Sequence, residues 1–492
     1  MSNKVTNPYA PGTGNSILFR IPALYTLKSG RILACSDIRY GNGTDDPANV
    51  DVAVRYSDDN GKSWSDVQFV NHFEDMVDCD HNVAIPTSAS FVDSAIVECE
   101  DNEIYHMCDA CPAYMGLWSA GTYGKGNGYI DGKLVLSDLD DPLKAASTKL
   151  DKAHYPYYID DFNDEGYAPV LRFSDNTSYD GYYVDKAYNI YKKNDSAYEP
   201  VLIKQMEKDG TLSDRDIIAN TFYAYAPIKL YPTYYLWMKK SLDGGETWGD
   251  GEILNLQIGS RGFTGFAPGR GIVVEKDGKK RVLFAVYDNN DLKEYTSVIY
   301  TDDGGKTWHR SQKANKVGST GKSSETQFVM LNNNVLRMYS RNTIGYISYC
   351  DSTDFGETWS AYTADKDLKY CSNCQFSIIN YSKKIDGKDA IIISYPTEKI
   401  RKCGAIKIGL FGEDNVVHWK YRKNVTTDLK PFTFVYSCLT ETAEGRIIDL
   451  YESYKAELST VDYDIEELMV KEKNHLSFFK RLHSKYRNVT EK

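Results

Sequence analysis

The sequence predicts an all-β protein organised as a β-propeller. Three observations carry that expectation: a turn motif repeated four times, alternation of apolar and polar residues leading into it, and a composition rich in aromatic residues and glycine but poor in proline. The motif is S/T-x-D-x-G-x-x-W. Its copies are Ser57-Asp59-Gly61-Trp64, Ser241-Asp243-Gly245-Trp248, Thr301-Asp303-Gly305-Trp308 and Ser352-Asp354-Gly356-Trp359. Four spaced positions agreeing four times mark a structural repeat. Among 492 residues, 39 Tyr, 36 Gly and 7 Trp stand against 15 Pro, a balance that favours strands joined by tight turns.

In the first copy, Val50, Val52, Val54 and Tyr56 alternate with Asp51, Ala53 and Arg55, the period of a strand. The later copies follow the strand-like runs TYYLWMKK, YTSVIY and IGYISYC. The motif reads as a hairpin turn: Gly supplies a positive φ, the Asp carboxylate and Ser/Thr hydroxyl satisfy turn amides, and Trp packs the turn on its sheet. It has too few oxygen ligands for a calcium loop.

Copies two to four start at Ser241, Thr301 and Ser352, a spacing that fits one four-stranded blade each. The stretch from Ser57 to Ser241 exceeds two blades, so an insertion is expected. The expected organisation is a first propeller part over 1–111, an inserted β-rich unit over 112–228, a second propeller part over 229–475 and a tail over 476–492. Leu468, Leu476, Phe479 and Leu482 among charges suggest a C-terminal amphipathic helix capping the fold.

Composition excludes several function classes. Hydrophobic residues are 41% and charged residues 26%, a globular balance. The net charge of −11 argues against a nucleic-acid partner. No run approaches the roughly 18 apolar residues of a membrane span, and MSNKVTNPYAPGTG lacks the apolar core of a secretory signal. The expected location is the cytoplasm, or outside it if this is a mature chain whose signal has been removed. Without a signal, the sequons at Asn42, Asn176, Asn194, Asn424 and Asn488 read as chance. The pairs Cys108/Cys111 and Cys371/Cys374 lie far apart, and neither has a His at ligand spacing, so reduced thiols are expected rather than zinc.

With Phe19-Arg20-Ile21-Pro22 ahead of the first copy, the pattern resembles the Asp-boxes and FRIP motif of bacterial-type sialidases, glycoside hydrolase family 33, of the kind with an inserted β-domain. The resemblance covers the chain outside the insert's interior. It implies a six-bladed propeller and a retaining exo-α-sialidase acting on terminal sialic acids of glycoproteins, glycolipids and oligosaccharides, with no metal or organic cofactor.

The resemblance also implies the site. Arg20, Arg341 in YSRNTIGYISY and Arg401 in EKIRKCGAIKIGL match three arginines that hold the sugar's carboxylate. Guanidinium suits that role because it is always charged and offers a planar fork. Asp45 in RYGNGTDDPANVD matches the acid/base, and a raised pKa is expected for it. Its neighbour Asp46 is then structural or solvated. Tyr436 in FTFVYSCLTE matches the nucleophile and Glu325 in SSETQFVML its partner. A neutral phenol avoids the repulsion that a carboxylate nucleophile would meet from the substrate's own carboxylate. Arg39 and Asp93 match weaker family positions near the sugar's O4. Trp118, Tyr114 and the insert's tyrosines could extend the aglycone site, without single assignments.

Two outcomes compete within the same family: intramolecular transfer releasing 2,7-anhydro-sialic acid, and elimination to the 2,3-unsaturated sugar. Both need aromatic residues that exclude water, and LYESYKAEL offers Tyr451 and Tyr454 but no Trp, which favours hydrolysis. A non-catalytic sialic-acid-binding propeller is a further alternative, disfavoured because acid, nucleophile and base occur together. A sortilin-like receptor propeller is disfavoured because the chain shows neither signal nor anchor.

Overall fold

The computed structural model describes residues 5–471 apart from 42, 44, 80–84, 117–125, 141–148, 196, 258–262, 291–292, 315–321, 370–372 and 455–456. Regular structure is almost all strand; among the described residues α-helix is confined to Ile465–Leu468. Leu468 is buried there, but the helix stops at Leu468 and Lys471 forms a β-bridge with Tyr421; the expected helical positions beyond 471 lie outside the described residues.

The strands form antiparallel meanders in a propeller-like arrangement. Leu18–Thr26, Ile32–Arg39, Val50–Ser57 and Gln68–Asn71 pair in chain order, as do Ser90–Glu98 and Ile104–Cys111. A parallel contact between Val50 and Ser90 joins these into one nine-stranded sheet that also contains Tyr235–Ser241 and Glu252–Ile253. Sheets of five, four, four and three strands follow from Phe263 to Tyr463. The last sheet returns to the first strand: Phe19, Leu24 and Ile32 share a core with Cys438, Ile448 and Leu450, and the Leu24 amide donates to Cys438 Sγ at 3.1 Å.

The four repeats fold as expected. Each begins at the last residue of a strand, at Ser57, Ser241, Thr301 and Ser352. In the first, the Ser57 hydroxyl donates to Asp59 Oδ1 at 2.8 Å and accepts from the Gly61 amide. Asp59 Oδ1 accepts from the Lys62 and Ser63 amides at 2.9 Å. Gly61, Gly245, Gly305 and Gly356 have φ between 82° and 92°, the left-handed region that a side chain would strain.

Strands Ile104–Cys111 and Tyr235–Ser241 pair along their length, from Tyr235 opposite Ala110 to Ser241 opposite Ile104. Between them the chain forms an eight-stranded sheet and a separate two-stranded hairpin. They have a small cluster of their own around Val135, Tyr155 and Tyr231, but most of their apolar residues join the meanders: Leu136, Val170 and Ile228 share one cluster with Val52, Phe91 and Trp237. Many tyrosines serve packing. Tyr9, Tyr40, Tyr105, Tyr235, Tyr339 and Tyr395 are fully buried, and Tyr157 stacks on Tyr179 with ring centroids 3.7 Å apart.

Candidate active site

One cavity of about 170 Å³ is lined by all eight residues singled out in the sequence: Arg20, Arg39, Asp45, Asp93, Glu325, Arg341, Arg401 and Tyr436. They come from widely separated positions, between 20 and 436 in the chain. Arg20 lies on Leu18–Thr26, where the pairing register shifts between Arg20 and Ala23. Asp93 lies at a matching shift in Ser90–Glu98. Ile21, Asp93 and Arg401 all have positive φ (56°, 65° and 48°), so backbone strain gathers at the cavity wall. Glu325 and Arg341 are neighbours across a hairpin, with the Arg341 amide donating to the Glu325 carbonyl at 2.9 Å.

Tyr436 is the centre of the site. Its hydroxyl donates to Glu325 Oε1 at 2.6 Å and accepts from Arg341 Nη1 at 2.6 Å. Arg341 Nη1 also pairs with Glu325 Oε2. The guanidinium carbons of Arg20, Arg341 and Arg401 lie 5.6, 5.9 and 5.6 Å from the Tyr436 ring centre, so three permanent cations face one phenol. Burial pushes the phenol well above its ordinary pKa, Arg341 opposes that shift, and Glu325 adds to it. The group is therefore a neutral hydroxyl at physiological pH.

Asp45 differs from expectation. Its side chain is 65% exposed, and its Oδ1 accepts from Arg20 Nη1 at 2.8 Å and Arg39 Nη1 at 2.6 Å. Partial burial acts to raise its pKa, but the charges of Arg39 and Arg20 outweigh this and hold the carboxyl well below the usual range. The raised value expected here belongs to Asp46. That side chain is buried among Ser90, Tyr234 and Cys111, with Ser90 Oγ donating at 2.7 Å and the Tyr234 hydroxyl at 3.2 Å, and burial raises it to about 6. Asp46 is thus structural rather than solvated. Asp93 and Asp109 are also pushed well up, first by burial and then by neighbouring carboxylates.

Sequence reasoning missed several residues of the cavity wall and one directly behind it. Glu452, 2% exposed, accepts from Arg20 Nε at 3.2 Å and Nη2 at 3.3 Å and from the Ile21 amide at 2.8 Å. Its signal was present: Ile448, Leu450 and Glu452 alternate on one face of a strand, placing a charge at an inward position. Tyr234, Phe263 and Tyr287 form an aromatic wall, with ring centres 4.8 Å and 5.4 Å apart. No pattern separates them from core aromatics. Tyr114, Tyr451 and Tyr454 do not line the cavity, and Trp118 lies outside the described residues.

An all-β, propeller-like frame with four Asp-box turns thus carries a pocket lined by three arginines, a tyrosine and a glutamate. A family model described as BNR repeat-like domain matches residues 222–448, and one described as BNR/Asp-box repeat matches 55–66. The chain is 32% identical to the intramolecular trans-sialidase from Ruminococcus gnavus, solved in complex with oseltamivir carboxylate, over 95% of this chain and 98% of that one, with a TM-score of 0.81. It is 30% identical to the anhydrosialidase of Macrobdella decora and 31% identical to sialidase B of Streptococcus pneumoniae, over 91% and 89% of this chain. It covers 59% and 61% of those two curated relatives, about three fifths of their length. The chain belongs to the bacterial-type sialidase family.

Proposed function

We propose that the protein is a retaining exo-α-sialidase acting on terminal sialic acids of glycoconjugates through a covalent sialyl-tyrosine. The observation that carries this reading is the Tyr436 hydroxyl held between Glu325 and Arg341 within a ring of three guanidinium groups. The substrate carboxylate binds Arg20, Arg341 and Arg401. Asp45 gives its proton to the leaving glycosidic oxygen while Tyr436 Oη bonds to the anomeric carbon and passes its own proton to Glu325. Water then attacks that carbon, Asp45 takes its proton, and the tyrosine leaves with the proton returned from Glu325.

The ionised state of Asp45 in the free protein is consistent with this cycle. An incoming carboxylate competes for Arg20 and adds a negative charge beside Asp45, and both effects raise its pKa toward the value a proton donor needs. Arg39 and Asp93 line the same wall and are assigned to the sugar's O4 side. In the same reading the nine-stranded sheet comprises two blades, giving a six-bladed propeller over 1–111 and 229–475 with an inserted β-domain over 112–228.

A second reading is supported by the aromatic wall and by the names of the relatives. If Tyr234, Phe263 and Tyr287 exclude water, the sugar's own O7 hydroxyl attacks the anomeric carbon of the sialyl-tyrosine and gives its proton to Asp45, while Tyr436 leaves with the proton returned from Glu325 and 2,7-anhydro-sialic acid is released. NMR of products from α2,3-sialyllactose distinguishes the readings. Free sialic acid supports hydrolysis, the anhydro sugar alone replaces hydrolysis by internal transfer, and no turnover removes both.

A further inference from the structure

Behind the loop that carries Asp45 lies a cluster with no part in the chemistry above. Asp51 on Val50–Ser57, His72 just after Gln68–Asn71, and Asp78 present two carboxylate oxygens and an imidazole nitrogen, all within 4.8 Å of one another. His72 Nδ1 is 2.8 Å from Asp51 Oδ2 and 3.6 Å from Asp78 Oδ2. The Asp51 side chain is 1% exposed, while those of His72 and Asp78 are 29% and 20% exposed, which leaves a path from solvent.

A His–Asp ion pair alone does not account for what surrounds it. Tyr40 is fully buried, and its hydroxyl faces the carboxylates of both Asp51 and Asp78. Asn49, 1% exposed, also turns its side-chain amide to Asp78, which leaves its Oδ1 buried with no hydrogen-bond partner. Native structures rarely leave a buried amide oxygen unsatisfied. A cation held by Asp78 would satisfy that oxygen, and a proton on His72 would not.

We propose that Asp51, His72 and Asp78 form a divalent-cation site, with Asn49 Oδ1 and the Tyr40 hydroxyl as neutral oxygen partners. Two carboxylates, one imidazole and neutral oxygens suit zinc or manganese. The site has a structural consequence. Tyr40 and Asn49 bracket the Asp45 loop, the Tyr40 amide donating to the Asn49 carbonyl at 3.3 Å, so a cation would tie both ends of that loop to the sheet beneath.

The test uses the full chain stripped with a chelator and titrated calorimetrically with zinc chloride and with manganese chloride. One equivalent of at least one metal should bind, weakened roughly 100-fold in His72→Gln and in Asp78→Asn. Hydrogen exchange of amides 40–49 should slow several-fold on metal addition in the unsubstituted protein only. An anomalous difference peak between His72 Nδ1 and the two carboxylates in a manganese-soaked crystal gives a readout that needs no variant. No one-to-one binding, binding retained in both variants, or a peak elsewhere would overturn the proposal.

Discussion

The Tyr436 hydroxyl donates a 2.6 Å hydrogen bond to Glu325 Oε1 while accepting one from Arg341. Proton acceptor, phenol and cation are therefore aligned before substrate arrives, and no rearrangement is needed for the phenol to lose its proton as charge develops. Glu325→Gln keeps the shape but replaces the base with an amide. Turnover of a sialoside should fall by about 10²–10⁴-fold. Tyr436→Phe should fall further, with the melting temperature little changed. Near-normal turnover in Tyr436→Phe would remove the proposed nucleophile.

Arg20 is oriented by a carboxylate rather than by its own strand. Glu452 grips it through Nε and Nη2 and also caps the Ile21 amide, where φ is positive. Glu452→Gln keeps the volume but loses a charge-assisted pair worth about 1.5–3 kcal/mol. Steady-state kinetics should show KM for sialosides rising roughly 10- to 100-fold, with a smaller loss in kcat. An effect confined to kcat would mean that Glu452 acts on the chemistry and not on carboxylate binding.

The Asp-box aspartates are remote from the cavity and hold turns. Asp59 accepts from two backbone amides and from the Ser63 hydroxyl. Asp59→Ala should lower stability by about 1–3 kcal/mol in urea unfolding and leave kcat/KM unchanged. A matching loss of activity without loss of stability would contradict a purely structural turn.

These turns were legible in sequence because each motif residue acts locally. Ser57 and Asp59 bond to amides within four residues, and Gly61 needs its positive φ. Arg20, Arg341, Arg401 and Tyr436 were legible because each sits in a recognisable segment. The charge state of Asp45 was not, since it is decided by Arg39 and Arg20 meeting it in space. Nor could sequence show that Leu136 and Ile228, far from any repeat, share a core with Val52, because such packing leaves no local period.

Burial raises the pKa of several carboxyls, and this sets a direction for stability. Burial raises Asp46 to about 6 and Asp449 to about 7, against opposing hydrogen bonds from Ser90 and Ser394. Burial also raises Asp37, Asp93 and Asp109. In the unfolded chain these groups titrate near 3.9. Between about pH 4 and 7 the folded protein therefore binds more protons than the unfolded one, and stability falls as pH rises through that window. The melting temperature should be several degrees higher at pH 5 than at pH 8. The reverse order would mean that these carboxyls are ionised and compensated in the fold.

Asp45 and Asp46 are adjacent in sequence and opposite in environment, which separates their roles in one experiment. Asp45 is mostly exposed and faces Arg20 and Arg39, whereas Asp46 is buried and accepts from Ser90 and Tyr234. Asp45→Asn removes the proton donor, so turnover of sialyllactose should drop by about 10²–10⁴-fold. An aryl sialoside, whose phenolate leaves without needing a proton, should lose much less. Asp46→Asn imitates the protonated acid and retains an acceptor for Ser90, so both substrates should be turned over at close to the unsubstituted rate. If Asp46→Asn instead shows the substrate-dependent loss, the proton donor is the buried carboxyl, and Asp45 serves only to neutralise Arg20 and Arg39 in the free protein.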